Sequence, residues 1–173
     1  DIWLEAECAV VGSQWTIIDD SNVAGNQYIS ASSSENYFSN APNDDSLISS
    51  IIFDAKAGNY DLYARASTLS TDNDSFWFRL NNGDWFNWNN INPNSTSFIW
   101  NKLNDDQSNS VVSLALIEGT NTIDFAIRES GAALDKIYLT NNGGLPSGFG
   151  NISTNCGPID IIPLADAGDA VKL

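Results

Sequence analysis

The sequence contains no histidine, few basic residues, only two cysteines and no long apolar run. Without histidine, the chain lacks the side chain that most often serves as a general base and as a zinc ligand. Seven Lys and Arg against 22 Asp and Glu leave a net charge of −15, which disfavours nucleic acid and anionic membranes as partners. The same charge opposes polyanionic glycans. An enzyme built on this chain would have to work with carboxylates.

Membrane and compartment signals are equally sparse. The sequence has no stretch of about 18 apolar residues, so we expect no membrane insertion. It opens on DIWLEAEC with no basic and apolar leader, which indicates either a signal already removed or a domain taken from a longer protein. Cys8 and Cys156 fit neither a CxxC metal site nor a redox motif, which leaves one disulfide or two free buried thiols as alternatives. We predict the disulfide, which would hold the C-terminal segment to the first strand and implies a secreted or cell-surface protein.

The regular part of the sequence is typical of β-structure. With 173 residues, 42% of them hydrophobic, the chain is long enough for one domain with a substantial core. Residues 10–45 read as long loops with short strands. Beyond them, β-rich runs alternate with turn signals, and no apolar period of 3.6 residues persists long enough for a substantial helix. We therefore predict an all-β protein, an antiparallel β-sandwich, with later strands at 47–55, 60–66, 75–80, 85–88, 98–103, 111–117, 122–128 and 134–140.

Residues 74–100 carry four of the six tryptophans. Phe76 and Phe78 alternate with Trp77, which predicts one row facing the core and one row on the opposite face. The following Asn82-Gly83 pair predicts a tight hairpin, since Gly accepts a positive φ and Asn tolerates it. Asparagines interleave with the indoles, and flat apolar rings beside neutral amides suit a sugar. The alternative is that these tryptophans belong to the core and the asparagines to loops.

Acidic residues occupy two unusual places in the predicted strands. Glu5 and Glu7 alternate along an opening strand, so both carboxylates point the same way and are either solvated or held around something positive. Asp135 lies in phase with Ile137 and Leu139, which places a carboxylate on the apolar face of the last strand. Burying it unpaired is costly, so a basic group or a cation should meet it. Calcium bound by Glu5, Glu7 and Asp135 would explain both patterns, because calcium prefers hard oxygen ligands.

The pattern of strands ends after Thr140. A Gly-rich, Pro-containing segment follows, which the predicted disulfide would hold down. The final IIPLADAGDAVKL resembles the opening of PKD-type immunoglobulin-like domains. We therefore expect residues 1–159 to form one β-sandwich module and residues 160–173 to be a linker with the truncated start of a neighbouring PKD-like module.

Three patches give the chain a resemblance to known modules. They are LEAE at 4–7, AGNYDLYAR at 57–65, and EGTNTI at 118–123 followed by LDKIY at 134–138. In this order they resemble the carbohydrate-binding modules of family 6 and the related family 35, over about residues 1 to 141. The resemblance implies a jelly-roll β-sandwich attached to a secreted polysaccharide-degrading enzyme. It also implies a structural calcium at Glu5, Glu7 and Asp135, in agreement with the strand pattern.

The family places its ligand in a cleft at the loop end. By position, Tyr28 matches the first aromatic residue of that cleft, and Trp85, Trp88 or Trp100 matches the second. Family members commonly have an asparagine before the last strand, whereas this chain departs from that pattern. We therefore assign the polar contacts of the candidate ligand site to other residues, namely Asn89, Arg128 and Glu129.

These observations favour a non-catalytic module that binds a neutral or weakly charged polysaccharide by stacking and polar contacts, with neighbouring modules covalently linked in the full-length protein. One alternative is a cell-surface adhesion or lectin-like domain that binds glycan or protein without an attached enzyme. Another is a small glycosidase, which would need two carboxylates roughly 5 to 5.5 Å or 6.5 to 9.5 Å apart. Glu5 and Glu7 could have that spacing, but a metal explains them better.

Overall fold

The computed structural model describes residues 1–32, 37–68, 73–91, 97–105 and 110–157. Strands dominate, and short 3-10 turns occur at Ala24–Asn26 and Asp45–Leu47. None of the helices in them is long and apolar enough to cross a membrane. The predicted linker and neighbouring module at 160–173 lie outside the described residues. The strands are β1 (Ile2–Glu5), β2 (Val10–Val11), β3 (Trp15–Asp19), β4 (Gln27–Ala31), β5 (Ile48–Ala55), β6 (Gly58–Ser67), β7 (Phe76–Leu80), β8 (Phe86–Trp88), β9 (Ile99–Lys102), β10 (Asn104–Asp105), β11 (Ser110–Val111), β12 (Ser113–Leu116), β13 (Gly119–Ile127) and β14 (Ala133–Thr140).

The strands form two facing antiparallel sheets. The larger sheet has the order β3-β4-β14-β6-β12, with β1 also paired to β14 and β9 also paired to β6. The smaller sheet has the order β2-β5-β13-β7-β8, and β10 pairs separately with β11. This arrangement confirms the predicted antiparallel β-sandwich. Each strand predicted from residue 47 onward is present, although the run at 111–117 is divided into β11 and β12.

Alternation along the strands produces the core. Phe76 and Phe78 on β7 are fully buried, whereas Trp77 between them is half-buried on the opposite face, as predicted. Trp88 on β8 is also buried, with 1% of its surface exposed, and its ring centroid lies 6.4 Å from those of Phe76 and Phe125. The prediction of Trp88 as a ligand contact is therefore wrong in this structure, because its indole faces are covered by other core rings.

The turn between β7 and β8 forms one residue earlier than predicted. Asn81 and Asn82 have φ values of 49° and 56°, and the amide of Gly83 donates to the carbonyl of Leu80 at 2.8 Å. The left-handed positions are therefore both asparagines, which tolerate this conformation better than most residues. Gly83 closes the turn without a positive φ. The hairpin itself is as predicted.

A disulfide fastens the end of the described chain to its beginning. Cys8 and Cys156 are bonded, with their Cα atoms 5.3 Å apart, as predicted. Beside this bond, Thr154 donates its amide to the carbonyl of Trp3 at 2.8 Å. The Asn155 side chain accepts from the Glu5 amide and donates to the Glu5 carbonyl, each at 2.8 Å. Residues 154–156 are therefore held against β1 and Cys8, next to the carboxylates that the sequence singled out.

Replacing Trp88 with Ala should lower the free energy of unfolding by about 3–5 kcal/mol, because loss of a buried indole leaves a large cavity. Trp85 is the matched control, since its half-buried ring packs over Arg79 and its loss should cost clearly less. Denaturant unfolding of the two alanine variants measures the difference. Equal losses would contradict the assignment of Trp88 to the core.

Candidate functional site

Two neighbouring features of the larger sheet have the chemistry of a functional site. The first is a carboxylate cluster, which we define as Glu5, Glu7 and Asp135. It forms where the end of β1 meets the beginning of β14, because Glu5 pairs in register with Lys136. The Ala6 amide also donates to the carbonyl of Asp135 at 2.9 Å. The cluster therefore depends on the pairing of the first strand with the last.

Asp135 lies in a different environment from the one that the sequence predicts. The register of β14 against β6 shifts between Leu134 and Lys136, so Asp135 sits in a β-bulge. Its carboxylate meets Arg65, which alternates on β6 with the core residues Ala64 and Ala66 and therefore faces away from the core. The prediction that Asp135 points into the apolar face is wrong, because the bulge changes the phase of the strand. The prediction that a basic group meets it is confirmed.

Glu5 and Asp135 are buried, Glu7 is half-buried, and the cluster is only partly neutralised. Arg65 donates to Asp135 Oδ2, and Lys136 Nζ lies 2.7 Å from Glu5 Oε1. One oxygen of each carboxylate remains buried without a hydrogen-bond partner in the described chain: Glu5 Oε2, Glu7 Oε2 and Asp135 Oδ1. Three acids face two cations, so full ionisation would leave one excess negative charge. Buried oxygens of this kind are costly unless a further donor or a cation meets them.

The pKa values of two of these acids are raised. The pKa of Glu7 is raised to about 8, chiefly by burial and also by the neighbouring charge of Glu5, while a backbone hydrogen bond opposes the shift. Burial also raises the pKa of Asp135 to about 6, although Arg65 favours its ionised form. Both shifts have the same cause, since desolvation penalises the charged carboxylate. A bound cation would reverse that preference.

The backbone approaches Glu7 closely at Gly25. Gly25 has a φ of 62°, and a Cβ atom placed there would lie 2.5 Å from Glu7 Oε1. A side chain at this position would therefore collide with the cluster. In the described residues, three acidic or thiol ligand atoms within 4.8 Å of one another occur at Glu7, Cys8 and Cys156, but the two sulfurs are joined in the disulfide. The calcium site at Glu5, Glu7 and Asp135 stays a prediction.

The second feature is a cleft of about 530 Å³, which we name the Tyr28–Phe98 cleft. Both rings are half-buried and meet edge to face, with their centroids 4.9 Å apart and their planes at 61°. Tyr28 projects from β4, and Phe98 directly precedes β9. The remaining lining is mostly polar or small: Asp20, Asn22, Val23, Ser30, Arg65, Ser67, Ser97, Gly131 and Ala133.

Arg65 links the cleft to the carboxylate cluster. Its guanidinium carbon lies 5.5 Å from the Phe98 ring centroid and 4.9 Å from that of Phe149, and the same group donates to Asp135. The cation therefore packs between two rings. Because Asp135 compensates it, Arg65 brings hydrogen-bond donors to the cleft without a free positive charge.

The structure distributes the predicted ligand residues over several places. Tyr28 lines the cleft. Trp85 lies beside β8 in the smaller sheet, with the guanidinium of Arg79 4.3 Å from its ring centroid. Trp100 is half-buried on β9, where its Nε1 donates to the carbonyl of Gly148 at 3.0 Å. Asn89 is half-buried just after β8. Of the aromatic residues predicted to stack on the ligand, only Tyr28 lines the cleft.

Arg128 and Glu129 lie in the turn from β13 to β14, next to the cleft residue Gly131. Glu129 is buried, and its two oxygens accept from Ser75 Oγ at 2.6 Å and from Arg128 Nη1 at 3.0 Å. Its carboxylate is therefore occupied within the protein, and the structure gives it a supporting place instead of the predicted ligand contact. Arg128 remains partly exposed, with its guanidinium carbon 4.9 Å from the Tyr37 ring centroid.

Sequence reasoning missed Phe98, Arg65, Asp20 and Asn22 as cleft residues. Phe98 lies in the aromatic and asparagine-rich stretch 74–100, but the tryptophans of that stretch were the ones predicted to stack on a ligand. Arg65 follows from alternation on β6, since the small residues on either side of it mark the core face. The Asp20 carboxylate accepts from the amide and the side chain of Asn22, at 2.9 and 2.8 Å. A short turn of this kind is a local pattern, so it does not predict that Phe98, which is distant in the sequence, lines the same cleft.

Comparison with known proteins gives results for structure alone. Neither a protein-family model nor a curated protein sequence matches the chain. Among solved structures, a family 35 carbohydrate binding module from Clostridium thermocellum is similar, with a TM-score of 0.56 and 17% identity over 80% of this chain and 98% of that one. A GH26-CBM35 β-(1,4)-mannanase from Podospora anserina has a TM-score of 0.61 and 21% identity over 84% of this chain.

The same fold occurs in a different context. A Cry1Da tryptic core variant from Bacillus thuringiensis is similar with a TM-score of 0.56 and 15% identity, over 79% of this chain and 22% of that one. This chain likewise spans 28% of the mannanase chain. At these identities the likenesses show the fold, which is that of the family 35 modules.

Replacing Arg65 with Met should lower the free energy of unfolding in chelator by about 3–5 kcal/mol, because Asp135 would stay buried without its cation. Lys102 with Asp61 is the matched exposed pair, since both side chains are 33% exposed. Replacing Lys102 with Met should cost about 0–1 kcal/mol. Chemical denaturation compares the two variants, and a similar small loss for both would contradict the structural importance of the buried pair.

Proposed function

We propose that this domain is a non-catalytic carbohydrate-binding module that holds a neutral or weakly charged polysaccharide in the Tyr28–Phe98 cleft. The observation that carries the proposal is this cleft of about 530 Å³, with two half-buried aromatic rings and a polar lining, on the fold of family 35 modules. Aromatic walls with a few fixed polar groups are the usual composition of a small-molecule site. The rings would pack on the apolar C–H faces of a sugar, and the polar lining would bind its hydroxyls.

The local charge of the cleft supports a neutral ligand. Arg65 is compensated by Asp135, and the other charged group that lines the cleft is the Asp20 carboxylate. A polyanion would therefore meet an acidic rim in addition to a net charge of −15 on the chain. A neutral chain of hydroxyls meets neither penalty.

The same reasoning extends to the context of the module. The disulfide between Cys8 and Cys156 supports a secreted or cell-surface location, because such bonds persist in oxidising compartments. The similarity to one segment of a mannanase chain supports a module linked to a polysaccharide-degrading enzyme. An adhesion or lectin-like domain is the second candidate, and the Cry1Da core favours it, because that core carries the fold and is not named as a polysaccharide-degrading enzyme.

We also propose a structural calcium at the carboxylate cluster. Three buried carboxylate oxygens without partners in the described chain and the high pKa of Glu7 suit a cation with hard oxygen ligands. Glu5, Glu7 and Asp135 would hold the ion, and nearby carbonyl groups would complete its coordination. Its contribution would be structural, since it would neutralise the excess charge where the first strand meets the last.

Replacing Tyr28 or Phe98 with Ala should weaken polysaccharide binding by roughly 5- to 150-fold, because each ring supplies a stacking surface of about 1 to 3 kcal/mol. Ile52→Ala is the matched control, since Ile52 is 58% exposed on the smaller sheet and should bind as the parent does. Trp85→Ala and Trp100→Ala belong in the same series, because both residues are candidate contacts from the sequence.

Affinity electrophoresis against a panel of soluble neutral polysaccharides, including β-1,4-mannan, provides the measurement, with melting temperatures to verify folding. The proposal fails if the parent retains no glycan of the panel. The assignment to this cleft fails if the folded Tyr28 and Phe98 variants bind as tightly as the parent. If only the Trp85 or the Trp100 variant loses binding, the ligand site lies at that tryptophan and not in the Tyr28–Phe98 cleft.

Calcium should raise the melting temperature of the parent and bind it in isothermal titration calorimetry. At about 100 times its dissociation constant, an ion that binds only the folded state adds roughly 2.7 kcal/mol to the free energy of unfolding. Glu7→Gln should remove most of this effect, whereas Asp84→Asn, at an exposed turn, should keep it. Unchanged melting temperatures in chelator and in calcium would refute the site.

A further inference from the structure

An exposed tyrosine stands at the same end of the sandwich as the cleft. Tyr37 is 51% exposed, and it pairs with Glu129 through an isolated β-bridge. The turn from β13 to β14 thus contacts Tyr37 at its start and lines the Tyr28–Phe98 cleft at Gly131. The amide of Gly131 also donates to the carbonyl of Ala31, at the end of the strand that carries Tyr28. One turn therefore positions both aromatic surfaces.

The Tyr37 ring is held in place by a buried polar network. The Arg128 guanidinium packs against the ring, with its carbon 4.9 Å from the centroid, and Nη2 donates to the hydroxyl at 3.2 Å. Arg128 Nη1 in turn donates to Ser75 Oγ at 2.5 Å and to Glu129 Oε1 at 3.0 Å. Ser75 is fully buried, and its hydroxyl also donates to Glu129 Oε2 at 2.6 Å.

The backbone beneath the ring is fixed as well. The amide of Phe38 donates to the carbonyl of Arg128 at 2.8 Å, and Trp77 Nε1 donates to the carbonyl of Phe38 at 3.2 Å. Burying the Glu129 carboxylate has a desolvation cost that the network offsets. The network adds no apolar surface to the core. Its effect is to position a ring that faces solvent, which is how a preformed stacking surface is built.

A polar cavity of about 470 Å³ adjoins the ring. Its exposed polar lining includes Ser39, Asn40 and Asn43, whose hydroxyl and amide groups both donate and accept hydrogen bonds. The lining residue Asp44 is held in place, because its side chain accepts from the Ser46 amide at 2.9 Å. An aromatic ring beside neutral hydrogen-bonding groups is the same chemistry that the Tyr28–Phe98 cleft offers.

A short backbone path connects the two surfaces. Tyr28 and Ala31 are three residues apart on β4, or about 10 Å. The path from Ala31 to Tyr37 then crosses one strand spacing to Gly131, two residues to Glu129 and a second strand spacing to Tyr37. The whole path is roughly 25 Å, which is the upper limit of the distance between Tyr28 and Tyr37. A chain of several sugars that begins in the cleft is therefore long enough to reach Tyr37.

We propose that Tyr37 and its adjoining cavity form a second sugar subsite, so that the module binds a polysaccharide over several consecutive units. This inference rests on the proposed function of the Tyr28–Phe98 cleft. Tyr37 is the stacking residue of the second subsite, and Arg128 and Glu129 are positioning residues that hold its ring. The class of ligand is a neutral glycan chain long enough to occupy both surfaces.

The test compares short and long ligands. Neutral β-1,4-linked mannose, glucose and xylose oligosaccharides, each as disaccharide and hexasaccharide, are titrated into the parent and its variants. The parent should bind at least one hexasaccharide more tightly than the matching disaccharide. Tyr37→Ala should weaken hexasaccharide binding roughly 5- to 50-fold and leave the disaccharide unchanged, because it removes one stacking surface. Tyr28→Ala should weaken both lengths.

Tyr37→Phe is the matched control, since it keeps the ring and loses only the hydroxyl contact with Arg128, and its length dependence should stay close to that of the parent. Melting temperatures verify that each variant is folded. If the parent gains nothing from length, or if Tyr37→Ala keeps the whole gain, the second subsite is refuted while the cleft stands. If the parent binds none of the oligosaccharides and no panel polysaccharide, the proposed function and the second subsite are both refuted.

Discussion

The buried carboxylate of Asp135 is the constraint on which both features of the larger sheet depend. An ionised acid with no exposed surface requires a cation, and Arg65 supplies it from the neighbouring strand. That pairing fixes the guanidinium between the rings of Phe98 and Phe149 and so forms part of the cleft. The same bulge places Asp135 beside Glu5 and Glu7. Charge balance at one position of β14 therefore couples the pairing of the first and last strands to the shape of the cleft.

The sandwich supports this arrangement by keeping its core independent of its loops. The two sheets pack through alternating apolar residues, and the C-terminal segment is fastened outside them by the disulfide and by Asn155. Aromatic residues outside this core lie on the outer face of a sheet or at the loop end. A rigid scaffold lets loop residues such as Tyr37 and Phe98 hold fixed positions without contributing to the core.

Most of the fold was predictable from the sequence, because strand alternation and turn residues are local signals. The strands at 47–55 and 134–140 correspond closely to Ile48–Ala55 and Ala133–Thr140. Errors arose where a local pattern depends on a distant partner. A bulge opposite β6 changed the phase of Asp135, and core rings on the neighbouring strands β7 and β13 cover Trp88, whereas Trp85 is half-buried. Tyr28 was placed by resemblance, but Phe98 joins it only through the pairing of β9 with β6, which periodicity alone does not reveal.

Net charge and local charge lead to the same conclusion about the ligand by different routes. The value of −15 is a property of the whole surface, and salt screens it over about 10 Å. The charges that line the cleft act on a ligand at shorter distance. There Arg65 is compensated by Asp135, and Asp20 adds a negative charge. Near Tyr37 the same holds, because Glu129 compensates Arg128. Each arginine that approaches an aromatic surface at this end of the sandwich is thus paired with a buried acid. Guanidinium groups here orient rings and donate hydrogen bonds, and they leave little uncompensated positive charge to attract an anionic chain.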